Sequence, residues 1–155
     1  MPHIHDLIDL TVSAIIVYRD TVLLVHHKKL NKWLPPGGHV ELDQDPEEAL
    51  YAEIREETGL TPEDIIVHGR KPTIIAPGTK FLYSPTYLDI HDISHTHRHI
   101  GLVYFITAKT DRIQLAEHEH LDIRWFTNAE LKDDNYAIIP SVLFYAGEAL
   151  KTIAK

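Results

Sequence analysis

Three glutamates at positions 53, 56 and 57 have the spacing that brings carboxylates to one side of a helix. Successive helical residues turn by about 100°, so Glu53, Glu56 and Glu57 share a face, and the small Ala49 lies in the same arc. Mg²⁺ prefers oxygen ligands, and a carboxylate left free of metal can take a proton from a metal-held water. The pattern indicates a divalent-metal site facing a phosphate chain; the alternative is a solvated acidic helix face.

The helix that carries these glutamates has signals at both ends. Asp45 is a good N-cap, Pro46 suits the first helical position, and Glu48 at the third position completes a capping box. Gly59 stands where a left-handed C-terminal cap is expected. We therefore predict a helix over residues 45–58, entered through a glycine turn.

The elements that must position this helix are read from apolar runs and turn residues. A hairpin is predicted from strands at 11–18 and 21–26, and a helix with Thr127 as N-cap precedes a closing amphipathic helix at 141–153. Further strands are predicted at 65–68, 71–75, 81–90, 98–108 and 121–126. Mixed strands with two or three helices predict an α/β or α+β layered fold, and 155 residues without a linker predict a single domain over residues 1–155.

Composition excludes several classes of protein. Fifteen basic and 23 acidic residues give a net charge of −8, which argues against broad nucleic-acid binding. The absence of cysteine excludes disulfides, zinc–thiolate sites and cysteine nucleophiles. The N-terminus lacks the pattern of a signal peptide, and no apolar run has the length of a membrane span, so a cytoplasmic, non-membrane protein is expected.

The segment from residue 38 to residue 60 resembles the Nudix box, G-x5-E-x7-R-E-U-x-E-E-x-G-U, in which U is a bulky aliphatic residue. The matching positions are Gly38, Glu53, Ile54, Glu56, Glu57, Gly59 and Leu60. The resemblance implies the Nudix fold, a mixed β-sheet sandwiched between helices. It also implies a MutT-like hydrolase that depends on Mg²⁺ or Mn²⁺ and acts on a nucleotide.

Two positions depart from the box, because Gln44 replaces its glutamate and Ala52 replaces its arginine. A supporting carboxylate and guanidinium are lost together, so neither charge is left unpaired. Gln44 still offers a neutral oxygen but no negative charge. Fold and metal binding are expected to survive these changes, whereas the catalytic rate is the property they put in question.

The resemblance also implies roles for individual residues. Glu56 and Glu57 would be the main metal ligands, Glu53 a ligand or proton acceptor, and the carbonyl of Gly37 or Gly38 would join the metal shell. Members of the family differ in the general base, and a glutamate from a later loop sometimes serves. Glu117 and Glu119, just before the strand at 121–126, are the candidates for that role, alongside a solvated-loop alternative.

Three residues outside the glutamate set are candidates for binding substrate. His39 follows the glycine pair and is expected to contact a phosphate, as is Arg98, for which a surface role is the alternative. Trp33 is a candidate for stacking on a base, with a place in the core as the alternative.

Twelve histidines are many for this length, and three of them alternate near one strand. If His95, His97 and His99 all lie on a strand, they share one face, because side chains alternate with a period of two. That face is expected to bind a transition metal or substrate phosphates, or else to form a polar outer surface.

The sequence supports more than one function. The favoured interpretation is a hydrolase that cleaves a pyrophosphate bond in a nucleoside diphosphate-X or a nucleoside triphosphate, with family members often forming homodimers. The alternative is a catalytically weak domain that binds nucleotides or regulates, suggested by Gln44 and Ala52. A diphosphate isomerase of the same fold is disfavoured because the chain has no cysteine, and mRNA decapping because the chain is acidic.

Overall fold

The computed structural model describes residues 3–154, which form eight strands and three α-helices. The strands are β1 (Ile8–Tyr18), β2 (Thr21–His27), β3 (Lys32–Leu34), β4 (Gly37–His39), β5 (Ile65–His68), β6 (Tyr87–Asp92), β7 (Arg98–Ala108) and β8 (His120–Thr127). The helices are α1 (Pro46–Thr58), α2 (Asn128–Leu131) and α3 (Pro140–Thr152), with short 3-10 turns at Pro62–Asp64 and Asp134–Tyr136. None of the described helices has the length and apolarity that crossing a bilayer requires.

Strand β1 is the centre of a mixed sheet. It runs parallel to β7, from Ile8 opposite Arg98 to Val17 opposite Thr107, and antiparallel to β2 and β4. Strands β5 and β6 pair with β7, and β3 and β8 pair with β2. Strand β4, which contains the first glycine of the box segment, therefore lies beside the central strand β1.

The sheet separates two apolar cores. Val12, Ala14 and Ile16 of β1 pack with Leu50 and Ile54 of α1. The alternate residues Ile15 and Val17 pack on the other side, with Val142, Ala146 and Ala149 of α3. This alternation follows from the period of two along a strand. The predicted mixed sheet sandwiched between helices is confirmed.

Helix α1 begins and ends as its sequence predicts. The Asp45 carboxylate accepts hydrogen bonds from the backbone N–H groups of Glu47 and Glu48, at 2.9 and 3.0 Å. The Glu48 carboxylate accepts the backbone N–H of Asp45 at 2.8 Å, which completes the capping box. Gly59 has φ +77°, in the left-handed region that ends helices.

The segment between β5 and β6 departs from the prediction. Residues 71–75 form no strand, and the strand expected at 81–90 is β6, which starts at Tyr87. Side chains hold this segment on the start of α1: Lys71 Nζ lies 2.6 Å from Glu47 Oε1, and Lys80 Nζ lies 2.6 Å from Asp45 Oδ2. Its prolines also remove backbone donors. The short strands β3 and β4, which the sequence did not predict, are ordered by pairing with β2 and β1.

Candidate active site

The glycine pair lets the backbone of β4 lie between β1 and α1. A Cβ on Gly37 would stand 2.1 Å from the carbonyl oxygen of Val12 on the neighbouring strand. A Cβ on Gly38 would stand 2.2 Å from Oε1 of Glu53. The sheet therefore requires glycine at position 37, whereas a side chain at position 38 would displace the Glu53 carboxylate that packs on the Gly38 backbone.

Glu57 is the most buried of the three glutamates, with 3% of the residue exposed. Its Oε1 accepts the backbone N–H of Gly37 at 3.2 Å. Its Oε2 lies 2.7 Å from Nε2 of His120, a residue that is itself 2% exposed at the start of β8. Two donors from separate strands thus fix the orientation of the Glu57 carboxylate.

Glu53 and Glu57 crowd each other. Burial raises the pKa of the Glu53 carboxyl, and the neighbouring charge of Glu57 and their mutual hydrogen bond raise it further. Burial also raises the pKa of Glu57, against the lowering effect of the Gly37 N–H. Without a cation, the buried pair therefore favours holding a proton.

The donors at this position fit a hard divalent cation. Glu53 and Glu57 offer carboxylate oxygens next to the glycine backbone, and Glu56 adds an exposed carboxylate on the same helix face. Oxygen donors in this number suit Mg²⁺ or Mn²⁺. A cation would also relieve the repulsion that raises the pKa values of the pair, because it favours the charged form of both.

The structure distinguishes between the two later-loop glutamates. One ligand atom each from Glu119, Glu57 and His120 can lie within 4.8 Å of one another, so Glu119 is at the rim of the buried carboxylates. Glu117 instead lines a shallow depression with Arg55 and Glu56, and its backbone carbonyl accepts a hydrogen bond from Lys28 Nζ.

His120 is a site residue that no sequence motif singles out. It belongs to the run Ala116-Glu117-His118-Glu119-His120, in which the resemblance to the Nudix family points to the glutamates instead. Its position in the sequence is the one indication of its role. His120 is the first residue of a strand, which fixes its side chain, whereas Glu117 and His118 lie in the exposed turn before it. Burial lowers the pKa of His120, which keeps its imidazole neutral.

The two substituted box positions, Gln44 and Ala52, carry no charge. The side-chain oxygen of Gln44 accepts the backbone N–H of Glu41 at 3.1 Å, so this residue supports the loop that leads to α1. Ala52 is half-buried on α1 and offers no donor. The site keeps its carboxylates but has no arginine at position 52.

The three substrate candidates do not converge on the glutamates. Trp33 is 8% exposed and packs in the core beside α3, edge-on to Phe126 and Tyr136, so its ring is unavailable for stacking on a base. The imidazole of His39 turns away from the glutamates, with Nε2 3.1 Å from Asp9 Oδ2. Arg98 is exposed at the first position of β7.

The alternating histidines do not form one row. His95 lies in an exposed bend before β7, so only His99 is on the strand, and His97 immediately precedes it. His97 and His99 instead converge with His3 and Asp9. Backbone hydrogen bonds from His5 and Ile4, followed by the nearby histidines, lower the pKa of Asp9 to about 2 against the opposing effect of burial. Burial lowers the pKa of His99 to about 4.

Comparisons with known proteins agree with this architecture. The family profile described as NUDIX domain matches residues 8–144. A hydrolase of the NUDIX family from Clostridium perfringens superimposes with a TM-score of 0.78 and 34% identity, covering 92% of this chain and 96% of that chain. The Ap4A hydrolase of C. elegans, at 20% identity and a TM-score of 0.61 over 91% of this chain and 98% of that chain, shares the fold.

Curated relatives match over a shorter segment. An RNA pyrophosphohydrolase from Halorhodospira halophila is 46% identical over 58 residues, which is 36% of this chain and 32% of that protein. One from Xylella fastidiosa is 37% identical over 62 residues, or 39% of this chain and 33% of that protein. The match thus spans about a third of these relatives. Sheet, box helix and glutamate site together define a Nudix domain, and this chain belongs to the Nudix family.

Proposed function

We propose that this chain hydrolyses a pyrophosphate bond in a nucleoside diphosphate-X or nucleoside triphosphate, with Mg²⁺ or Mn²⁺ as cofactor. The observation that carries the proposal is the pair of crowded carboxylates, Glu53 and Glu57, packed on the glycine backbone of β4. A buried like-charged pair is costly unless a cation joins it, and a pyrophosphate is the anion such a cation would bridge.

Each residue of the site has a distinct part in this mechanism. Glu53, Glu56, Glu57 and the Gly38 carbonyl would hold the cation, which when bound neutralises phosphate charge and lowers the pKa of a bound water. The Gly37 N–H and His120 keep Glu57 oriented for this task. Glu119, exposed at the rim, would accept the proton of the attacking water at a carboxylate oxygen.

The substrate is proposed as a small nucleotide, by analogy with two relatives. The neighbours include an Ap4A hydrolase and the NUDIX domain of NrtR from Shewanella oneidensis complexed with ADP ribose, the latter at 17% identity and a TM-score of 0.67. The RNA pyrophosphohydrolases match only about a third of their length, and the net charge of −8 disfavours a long RNA. The cytoplasmic location and the homodimer stay predictions.

A panel of nucleoside triphosphates, dinucleoside polyphosphates and nucleoside diphosphate sugars, assayed with Mg²⁺ and with Mn²⁺, tests this function. Product release should need the cation and fall strongly in Glu56→Gln, whose exposed side chain makes the variant safe for folding. Glu63→Gln, also exposed but in the turn after α1, is the matched control. Turnover that is absent throughout, or equal in both variants, would refute the proposal.

The second candidate is a nucleotide-binding or regulatory domain with weak catalysis. It is favoured by Gln44, whose side chain is engaged with the loop, and by Ala52, which offers no charge. This candidate expects nucleotide binding without product. Activity should then rise in the double variant Gln44→Glu with Ala52→Arg, and an unchanged rate would count against it.

A further inference from the structure

A second group of potential ligands surrounds Asp9, which is fully buried. The histidine–aspartate cluster consists of His3, Asp9, His39, His97 and His99. Asp9 Oδ2 lies 3.1 Å from Nε2 of His39, 3.2 Å from Nε2 of His97 and 3.5 Å from Nδ1 of His3. One ligand atom each from His3, Asp9, His97 and His99 can lie within 4.8 Å of one another.

The cluster lies on the other side of the sheet from the glutamates. Strand β4 pairs with β1 so that Gly38 is opposite Val12 and His39 is opposite Thr11. Val12 faces α1, where Glu53 covers Gly38, whereas Thr11 shares the alternate face of β1 with Asp9. Adjacent residues of β4 therefore contact two different sites.

Hydrogen bonds within the described part of the chain leave this cluster unsatisfied. Asp9 already accepts the backbone N–H groups of His5 at 2.7 Å and Ile4 at 3.1 Å. Nε2 of His39 and Nε2 of His97 lie close to Asp9 Oδ2 without the geometry of a hydrogen bond, and Nε2 of His99 also has no hydrogen-bond partner among the described residues. Leaving buried polar atoms unpaired is costly, so several unpartnered imidazole nitrogens gathered around one carboxylate indicate that a ligand binds among them.

The orientation of His97 fits a ligand role. Its Nδ1 lies 3.1 Å from the carbonyl oxygen of Asp6, close enough to donate, and this leaves Nε2 facing Asp9. Metal-binding histidines almost always donate their second nitrogen to a carbonyl or carboxylate in this way. His97 is 3% exposed, so the arrangement is fixed by packing.

We propose that His3, Asp9, His97 and His99 bind one divalent transition-metal ion of the Zn²⁺ class. Three imidazoles with one carboxylate form a set that suits zinc far better than Mg²⁺, which prefers oxygen ligands. Tetrahedral zinc needs ligand atoms about 3.3 Å apart, given metal–ligand distances of about 2.0–2.1 Å. The observed spacing needs only small side-chain movements to reach that geometry.

The ion would connect parts of the chain that are distant in sequence. His3 precedes β1, Asp9 lies on β1, and His97 and His99 flank the start of β7. His39, beside Asp9, would support the carboxylate. Binding should therefore stabilise the folded protein, because the unfolded chain does not hold these residues together.

Zn²⁺ alone is the probe, applied to the metal-free full chain by calorimetric titration and by metal analysis after dialysis. Wild type should bind about one equivalent at this site and melt at a higher temperature with Zn²⁺. His97→Ala should weaken binding by more than about 10-fold. His3→Ala, at an exposed side chain that the core does not need, should weaken it as well, so misfolding cannot explain the loss.

Two controls separate this site from the glutamate site. His95→Ala removes an exposed histidine of the same loop and should bind Zn²⁺ as wild type does. Glu56→Gln alters the glutamate site and should leave the zinc-dependent rise in melting temperature unchanged. Wild type that binds no Zn²⁺, or binding that persists equally in His97→Ala and His3→Ala, would overturn the proposal whatever the hydrolase assays show.

Discussion

The two sides of the sheet carry two polar sites of opposite character. On the α1 side, burial raises the pKa values of Glu53 and Glu57, and the charges of neighbouring carboxylates raise them further. On the other side, Asp9 is a carboxylate whose pKa is lowered to about 2 by backbone donors and histidines. Carboxylates crowd together at the first site, whereas at the second several imidazole nitrogens have no hydrogen-bond partner among the described residues. Burial opposes the charge at all three carboxyls, so the opposite shifts come from the neighbours: carboxylates around Glu53 and Glu57, backbone N–H groups and histidines around Asp9.

The largest expected effect comes from Glu57→Gln. The substitution keeps the shape of the side chain but removes the charge that Gly37 and His120 orient. Hydrolysis should fall by about 10²–10³-fold, as when one preorganised electrostatic group is removed from an active site. Steady-state kinetics on the best nucleotide measures the fall, with Glu63→Gln as the exposed control. A loss below tenfold would show that Glu57 is not central.

Gly38→Ala tests the contact between β4 and the box helix. A Cβ at this position would meet the Glu53 carboxylate at 2.2 Å, and that flexible group, rather than backbone, must move. The fold should persist while activity falls about 100-fold, because small displacements of reacting groups cost that much. Gly147→Ala in α3, where a Cβ meets nothing within 4 Å, is the matched control and should raise stability by about 1 kcal/mol. Equal activity in the two variants would contradict the role of Gly38.

His120→Gln should have a smaller effect. Glutamine can still donate to Glu57, but it cannot reproduce the geometry of the buried imidazole. A loss of about 10-fold is expected, typical of residues that orient a metal ligand. The pH–rate profile should shift as well, since His120 contacts the Glu57 carboxylate at 2.7 Å. If His120→Gln shows wild-type kinetics and an unshifted pH–rate profile, His120 has no role in orienting Glu57.

The smallest expected effect is on stability, and it tests whether the pKa values of Glu53 and Glu57 are raised. Because folding raises the pKa values of Glu53 and Glu57 above 4.5, their contribution to stability is present below that pH and is lost as pH rises. Metal-free protein should therefore gain more melting temperature from Mg²⁺ at about pH 8.5 than at about pH 5.5. Thermal melts at both pH values measure this difference, and Glu53→Gln should reduce it. An Mg²⁺ gain that is equal at both pH values would contradict the raised pKa values.

The sequence predicts the parts of the site that depend on local chemistry. Asp45, Glu48 and Gly59 act within one turn of α1, so their capping roles follow from spacing alone. The glutamate face follows from the helical period in the same way. The sandwich fold also follows, because alternation along β1 and the apolar stripe of α1 each need a partner layer.

Features made by long-range pairing were not predictable. His120 reaches Glu57 across 63 positions, and the turn of His39 toward Asp9 depends on the register between β4 and β1. The predicted strand at 71–75 was wrong: the segment forms no strand, and its Lys71 is paired with Glu47 of α1. Hydrophobic periodicity and composition carry no information on these contacts, which form only in the folded tertiary structure.

The measurement that tests the account most directly is anomalous diffraction from crystals supplied separately with Mn²⁺ and with one equivalent of Zn²⁺. We predict a Mn²⁺ peak between Glu53, Glu56 and Glu57, against the glycine pair. We predict a Zn²⁺ peak between His3, Asp9, His97 and His99, across the sheet. A Mn²⁺ peak at the histidines, or no peak at the glutamates, would contradict the division of the two faces between a hard and a borderline cation.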